Sequence, residues 1–394
     1  MTMTLMTTQS PSSSPQQQAA LLRVLGACGA SEPRRRLLEA YACPEAALAA
    51  GPGSWRACGL DQKQMHALSC APEDSRSLEW LTQPGHHLIG WHDPDYPALL
   101  RTAPSPPLAL FVIGNPARLW HPAVAVIGSR SPTAGGRDTA AAFSRALAGS
   151  GLAVVSGLAL GVDSAAHSAT LDAGGVTVAV LGCGIDQMYP RSNHALYERI
   201  RAEGVVVSEY PPGTPARSGH FPSRNRIVAG LSLGTLVIEA AMRSGALITA
   251  RLASDAGRDV FAVPGSIHNP KARGCHRLIR SGAALVESAE EVIRTLAPMA
   301  AHLGQALRER LAAPTTRDTP ATGEQPARPG NPDAGPAGDP DHQKLWEALG
   351  HDPTGMDLLA ERTGLTATRL SSMLPLMELE GLVVAEHGRY SRKS

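Results

Sequence analysis

The segment FPSRNRIVAG, Phe221 to Gly230, sets Arg224 and Arg226 two residues apart with Asn225 between them. Ser223 is a good N-cap residue, so the spacing predicts a helix whose first turn holds Arg224, Asn225 and Arg226. That turn already carries about half a positive charge from the helix dipole, and each further cation there costs roughly 0.3–1 kcal/mol. Two arginines so placed want an anion. Residues two apart on a helix diverge by about 200°, so at most one of the pair meets a ligand directly. The other braces the site, with Glu209, Asp163 or Glu239 as internal partners. Asn225 adds an amide for loop backbone or phosphate. Phe221 is one of four phenylalanines. An exposed ring among arginines suits a stacked nucleobase, worth roughly 1–3 kcal/mol; the alternative is a ring plugged into the core.

Further cations and small residues recur where apolar runs end. VAVIG leads into Gly128, Ser129 and Arg130, and LAVVSG ends on Ser156 and Gly157. TLVIEA precedes Ser244, Gly245, Thr249 and Arg251, and DVFAVPG precedes Lys271 and Arg273. Small residues at such ends let a ligand approach the backbone and leave helix-start N–H groups free for an anion. These residues are expected to form one phosphate-binding face.

The elements that would position them are short apolar strands alternating with helical stretches. Strands are expected at 124–128, 152–157, 177–184, 205–209, 235–240 and 259–265, each near-continuously apolar. That pattern predicts an α/β fold, an extended Rossmann-like parallel sheet wrapped by helices over 81–300. In such a sheet, ligands bind outside the carboxyl ends of the strands. Before it, helical spacing of Leu21, Leu25, Leu37, Leu38, Tyr41, Met65 and Leu68 predicts a small, SAM-like helical module over 16–80. Residues 1–15 read as a disordered tail and 301–340 as a Pro/Gly-rich linker. Residues 341–394 read as three helices and a hairpin near His387–Gly388, a winged-helix-like domain. Its second recognition-type helix, 366–380, offers Arg369 but also Glu378, Glu380 and a kinking Pro375, which favours protein contact or packing over DNA reading.

Composition excludes more than it selects. Formal net charge is +1, from 36 Lys+Arg against 35 Asp+Glu, so any polyanion site must come from local clustering. Only four lysines occur. Arginine usage suits bidentate phosphate recognition but also fits a broad Ala, Gly, Pro and Arg bias. Six cysteines form no CxxC pair and none lies near histidines at zinc spacing, so no metal and no cofactor are expected, and reduced thiols fit a cytoplasmic chain. The N-terminus lacks signal-peptide character and no apolar run reaches membrane-spanning length.

Enzymatic readings fit the motifs poorly. GSRSPTAGG is not G-x-G-x-x-G, Ser156 stands where a dinucleotide fold would place an acid, and no Walker A sequence occurs. Ser156, His167 and Asp163 contain the residue types of a hydrolase triad, yet no G-x-S-x-G elbow exists, and His167 four residues from Asp163 suits a structural bond. LGTLVIEA is similar to the PGGxGTxxE motif of nucleoside-monophosphate phosphoribohydrolases, but the PGG is missing and Glu239 falls one residue too far along. No catalytic residue is expected.

The motifs taken together resemble the DprA (Smf) family of DNA-processing proteins. They are GSR at 128–130, SGLALGVDSAAH at 156–167, LGCGIDQMYP at 181–190, SEYPPG at 208–213, FPSRNRIVAGLS at 221–232, SGALITA at 244–250, VFAVPG at 260–265 and GCHRLIRSGA at 274–283. The resemblance implies a protein, not an enzyme, that binds single-stranded DNA without sequence preference. It would protect incoming DNA in natural transformation and load RecA onto it. It also implies a homodimer formed through the Rossmann domain, with the GCHRLI run in the self-association region. Gly128, Ser129 and Arg130 match the family's phosphate-contacting motif, and Phe221, Arg224 and Asn225 its FPxRN motif. The family often has a basic residue shortly before this Phe; here Arg217 or His220 stands nearest.

Overall fold

The computed structural model describes residues 14–70, 74–312 and 340–349, and beyond these 354–366, 370, 373–374, 377, 382–386 and 389–392. Nine strands form one sheet: β1 (His86–Gly90), β2 (Ala109–Gly114), β3 (Ala123–Ile127), β4 (Ala153–Ser156), β5 (Thr177–Val180), β6 (Val205–Ser208), β7 (Gly234–Val237), β8 (Asp259–Ala262) and β9 (Ala284–Leu285). Their order is β1-β2-β6-β5-β4-β3-β7-β8-β9. From β6 to β9 all neighbours are parallel, while β1 and β2 are antiparallel additions, with Leu88 opposite Phe111 and Phe111 opposite Ser208. The six expected strands are β3 to β8. Every residue of β3 to β7 is buried, as parallel strands covered by helices on both faces must be.

Strand order reverses at β3, which pairs with β4 on one side (Val124 opposite Val154) and β7 on the other (Val124 opposite Gly234). The helices Ala134–Gly149, Val162–Asp172, His220–Gly230 and Gly245–Asp255 start near the carboxyl edge of the sheet. Small helices from Pro15 to Leu81 form the expected N-terminal module. Its Val24, Leu37, Trp55 and Trp80 share one hydrophobic cluster with Phe111, Leu181, Ile185 and Tyr197 of the sheet domain. Trp80 meets Phe111 edge-on, ring centroids 5.8 Å apart. Burying each large apolar side chain is worth roughly 1.5–3 kcal/mol, so module and sheet stabilise each other.

The helix Ala289–Ala312 runs past residue 300, where the linker was expected to start. The described residues fall into two compact units, one within 1–314 and one within 315–394. In the second, helices Pro340–Ala348 and Met356–Thr363 accompany a three-stranded sheet of β10 (Thr354–Gly355), β11 (Val383–Glu386) and β12 (Arg389–Arg392). Leu345, Leu359, Leu374, Met377 and Val383 are among its core residues. Arg369, Pro375, Glu378, Glu380, His387 and Gly388 lie outside the described residues. Among the described residues no helix is long and apolar enough to cross a membrane.

Candidate nucleic-acid interface

The helix of the FPSRN segment starts at His220, not after Ser223, and Gly219 is its N-cap residue. Pro222 is tolerated inside the first turn because helix-start N–H groups have no intrahelical acceptor there. Arg224 and Arg226 therefore sit in the second turn, where the dipole penalises cations less.

Both arginines turn to the protein. Arg224, which matches the FPxRN motif, is only 4% exposed. Its Nη1 donates to Gly157 O at 2.7 Å and to Val180 O. Burial lowers the pKa of this guanidinium, opposed first by the nearby Asp163 carboxylate. Arg226 makes a two-pronged pair with Glu209, at 3.2 and 2.5 Å. Neither member of the pair, of which at most one was expected to meet a ligand, faces outward, because the rest of the helix buries Ile227 and Val228 and fixes its rotation.

The Arg224 anchor holds the loop after β4. Asp163 Oδ2 accepts from Gly157 N at 3.1 Å and Ala159 N at 3.2 Å. Burial pushes the Asp163 carboxyl up, with Arg224 as the main opposing influence. Gly157 is required here, since a Cβ would lie 2.5 Å from Arg224 Nη2. Ser156, expected at the ligand face, is buried with Oγ donating to Val126 O at 2.6 Å. The loop in turn supports the GSR turn. Val162 N donates to Ser129 O at 3.1 Å, and a Cβ on Gly161 (φ 85°) would lie 2.4 Å from that oxygen. Gly128 is equally confined, 2.7 Å from Val162 Cγ2 to any added Cβ, and Ser129 Oγ accepts from Ser131 N at 3.2 Å.

What this scaffold presents outward is Arg130. It is exposed, with its guanidinium carbon 6.0 Å from the centroid of Phe221. The Phe221 ring lies 5.2 Å from that of Tyr189, tilted by 39°. One side of Phe221 rests on the chain at Gly182, where a Cβ would stand 2.8 Å from Cδ1. The ring is half-buried, neither fully exposed nor plugged into the core. Arg130, Tyr189, Ala216, Ser218, Phe221 and Pro222 surround a cleft of about 330 Å³. Arg217 is exposed between two of these lining residues. Tyr189, half exposed, was not singled out from the sequence, although it stands in LGCGIDQMYP at a strand end.

The remaining expected residues do not join the cleft. Lys271 is tethered through Nζ to Ser131 O, close in sequence to Arg130. Ser244 caps its own helix, Oγ accepting from Ala246 N at 3.2 Å, and Thr249 is buried with Oγ1 facing Gly245 O at 3.4 Å. Gly245 is exposed, and Arg251 is exposed beside Asp255, at 3.8 Å. Asn225 is half-buried and does not line the cleft.

The groups of the imagined triad are engaged elsewhere. His167 is fully buried with Nδ1 2.7 Å from Thr177 Oγ1, which donates to Val154 O. Burial holds its imidazole down to about 3, so it is neutral. Ser156 and Asp163 bond backbone, as above.

Fold and site define an α/β protein with an extended Rossmann-like sheet, an N-terminal helical module and a separate winged-helix unit, with a cation-and-aromatic cleft at the sheet's carboxyl edge. The chain belongs to the DNA recombination-mediator protein A family, whose model matches residues 87–297; the DprA winged helix domain matches 326–389. It is similar to Protein Smf of Synechocystis, 40% identical over 76% of this chain and 79% of the relative. Protein Smf of Escherichia coli is 38% identical over 85% of each chain. The X-ray structure of DNA processing protein A from Streptococcus pneumoniae aligns with TM-score 0.62 and 37% identity, covering 70% of this chain and 96% of that one.

Proposed function

We propose that this protein binds single-stranded DNA without sequence preference, in the cytoplasm, protects it during transformation and recombination, and hands it to RecA. The observation that carries the binding step is Arg130: an exposed guanidinium, held by a rigid turn, beside the partly exposed Phe221–Tyr189 ring pair. A cation beside aromatic faces offers a phosphate contact and a stacking platform together, and neither reads base identity. Duplex DNA keeps its bases stacked inside and cannot use the rings. The RecA step and a homodimer through the Rossmann domain are supported by family membership, and the work is binding rather than turnover.

The test is fluorescence anisotropy with labelled single strands and duplexes across a salt series. Single strands are expected to bind more tightly, with affinity falling linearly in log–log form. Arg130→Ala is expected to weaken binding several-fold and to reduce the slope by about 0.7, the contribution of one phosphate contact. An unchanged affinity and slope in Arg130→Ala would remove this reading. RecA nucleation on single strands, timed with and without the protein, tests the later step; sedimentation tests the dimer.

A further inference from the structure

The crevice where strand order reverses, between β3 and β7, is where an open α/β sheet takes a nucleotide. The helix Ala134–Gly149 opens into it, capped by Thr133, whose Oγ1 accepts from Gly136 N at 3.0 Å. A helix start of this kind is a ready phosphate site. Here a carboxylate of the chain itself occupies it. Glu239, just beyond β7, is 7% exposed. Its Oε2 accepts from Thr133 N at 2.9 Å, and its Oε1 accepts from Thr133 Oγ1 at 2.7 Å and Asn269 Nδ2 at 3.1 Å. Three neutral donors from two separate segments thus converge on one buried anion. Gly136 fits the same pattern: a Cβ there would lie 2.6 Å from the Glu239 carboxyl carbon. The space was left for the carboxylate.

We propose that Glu239 is a resident anion that fills the phosphate position of the switch-point crevice, so that the protein refuses free phosphate and mononucleotides there. Ligand phosphates are left the outer cleft at Arg130, where a polymer gains from several contacts and a monomer from one. The inference deepens the preceding reading by naming what the same face excludes, and it rests on that reading for its biological sense. Its physical content is independent of DNA. Removing the carboxylate without filling its volume frees three donors around an anion-sized space. Removing only its charge, as glutamine does, leaves that space filled, although the amide NH2 then faces one of the donors.

The experiment is thermal melting of the full-length protein, Glu239→Ala and Glu239→Gln, with inorganic phosphate against sodium chloride of matched ionic strength. Glu239→Ala is expected to melt lower than wild type in chloride and to recover by several degrees in phosphate. Wild type and Glu239→Gln, whose crevice stays filled, are expected not to respond. If Glu239→Ala yields no folded protein in chloride, refolding from denaturant in each salt gives the same readout, and recovery confined to phosphate supports the proposal. An alanine variant indifferent to phosphate, or all three proteins responding alike, overturns it. Loss of the single-strand reading would show only in the anisotropy experiment, so the two failures are distinguishable.

Discussion

Arg130 and Arg224 carry the same charge to opposite sides of one loop. Arg130 keeps its hydration and can exchange water for phosphate. Arg224 has already exchanged water for two carbonyls, and its burial keeps the rest of the guanidinium from a ligand. Phe221 divides itself in the same way, one side on Gly182 and the rest at the cleft. Phe221→Ala is expected to cost roughly 1–3 kcal/mol of single-strand affinity while leaving the salt slope unchanged, since stacking releases no counterions; anisotropy across the same salt series reads both. His167 makes a second prediction at this scale. Its folded pKa lies far below the ordinary histidine value, so below about pH 6.5 the unfolded chain takes a proton that the folded one refuses. Stability from this group is therefore present above pH 6.5 and is lost as pH falls toward 3, by about 1.4 kcal/mol per unit. His167→Asn keeps a donor for Thr177. It is expected to show a shallower fall in melting temperature between pH 7 and 5 than wild type; parallel slopes would acquit the imidazole.

At the scale of elements, the decisive unit is the loop from Gly157 to Gly161, clamped by Arg224 from one side and Asp163 from the other. Arg224→Ala removes a donor from two carbonyls, one buried and one partly buried, and the cation that offsets the burial of the Asp163 carboxylate. A loss of about 2–5 kcal/mol is expected in urea unfolding. Arg130→Ala, by contrast, should melt like wild type. The pair of measurements separates a brace from a contact. These elements were unevenly legible in the sequence. The six central strands announced themselves as short apolar runs rich in Val and Ile. The start of the His220–Gly230 helix did not, because Ser223 has the chemistry of a cap while the turn through Arg217 and His220 (His220 N to Arg217 O, 3.0 Å) begins the helix earlier. Spacing told that Arg224 and Arg226 diverge, but the helix's rotation against the sheet, which decides what each one faces, is set by packing. Glu239 was legible as a strand-end acid and as a bracing partner. Its true partners, Thr133 and Asn269, lie far away in the chain, and no local pattern joins them.

The molecule as a whole divides in two, and the division does not fall where the sequence's first boundary was expected. The N-terminal module shares its core with the sheet, whereas the described residues from 340 on form a unit with its own apolar core. A chain ending at residue 314 is therefore expected to retain single-strand affinity within about twofold, within the roughly 0.3–0.5 kcal/mol to which distant, independent sites add. A collapse of binding in that chain would move the site to the winged-helix unit.

Strand order also has a consequence in time. β3 sits inside the finished sheet, yet one of its two neighbours, β7, is made only after β4, β5 and β6. While the ribosome synthesises that interval, the nascent domain holds an unpaired, wholly apolar edge along Val124 to Ile127. Such an edge invites pairing with other chains. The arrival of Gly234–Val237 closes it and brings Glu239 to Thr133 in the same step, so the covering of that edge and the seating of the crevice carboxylate are one event in the birth of the protein.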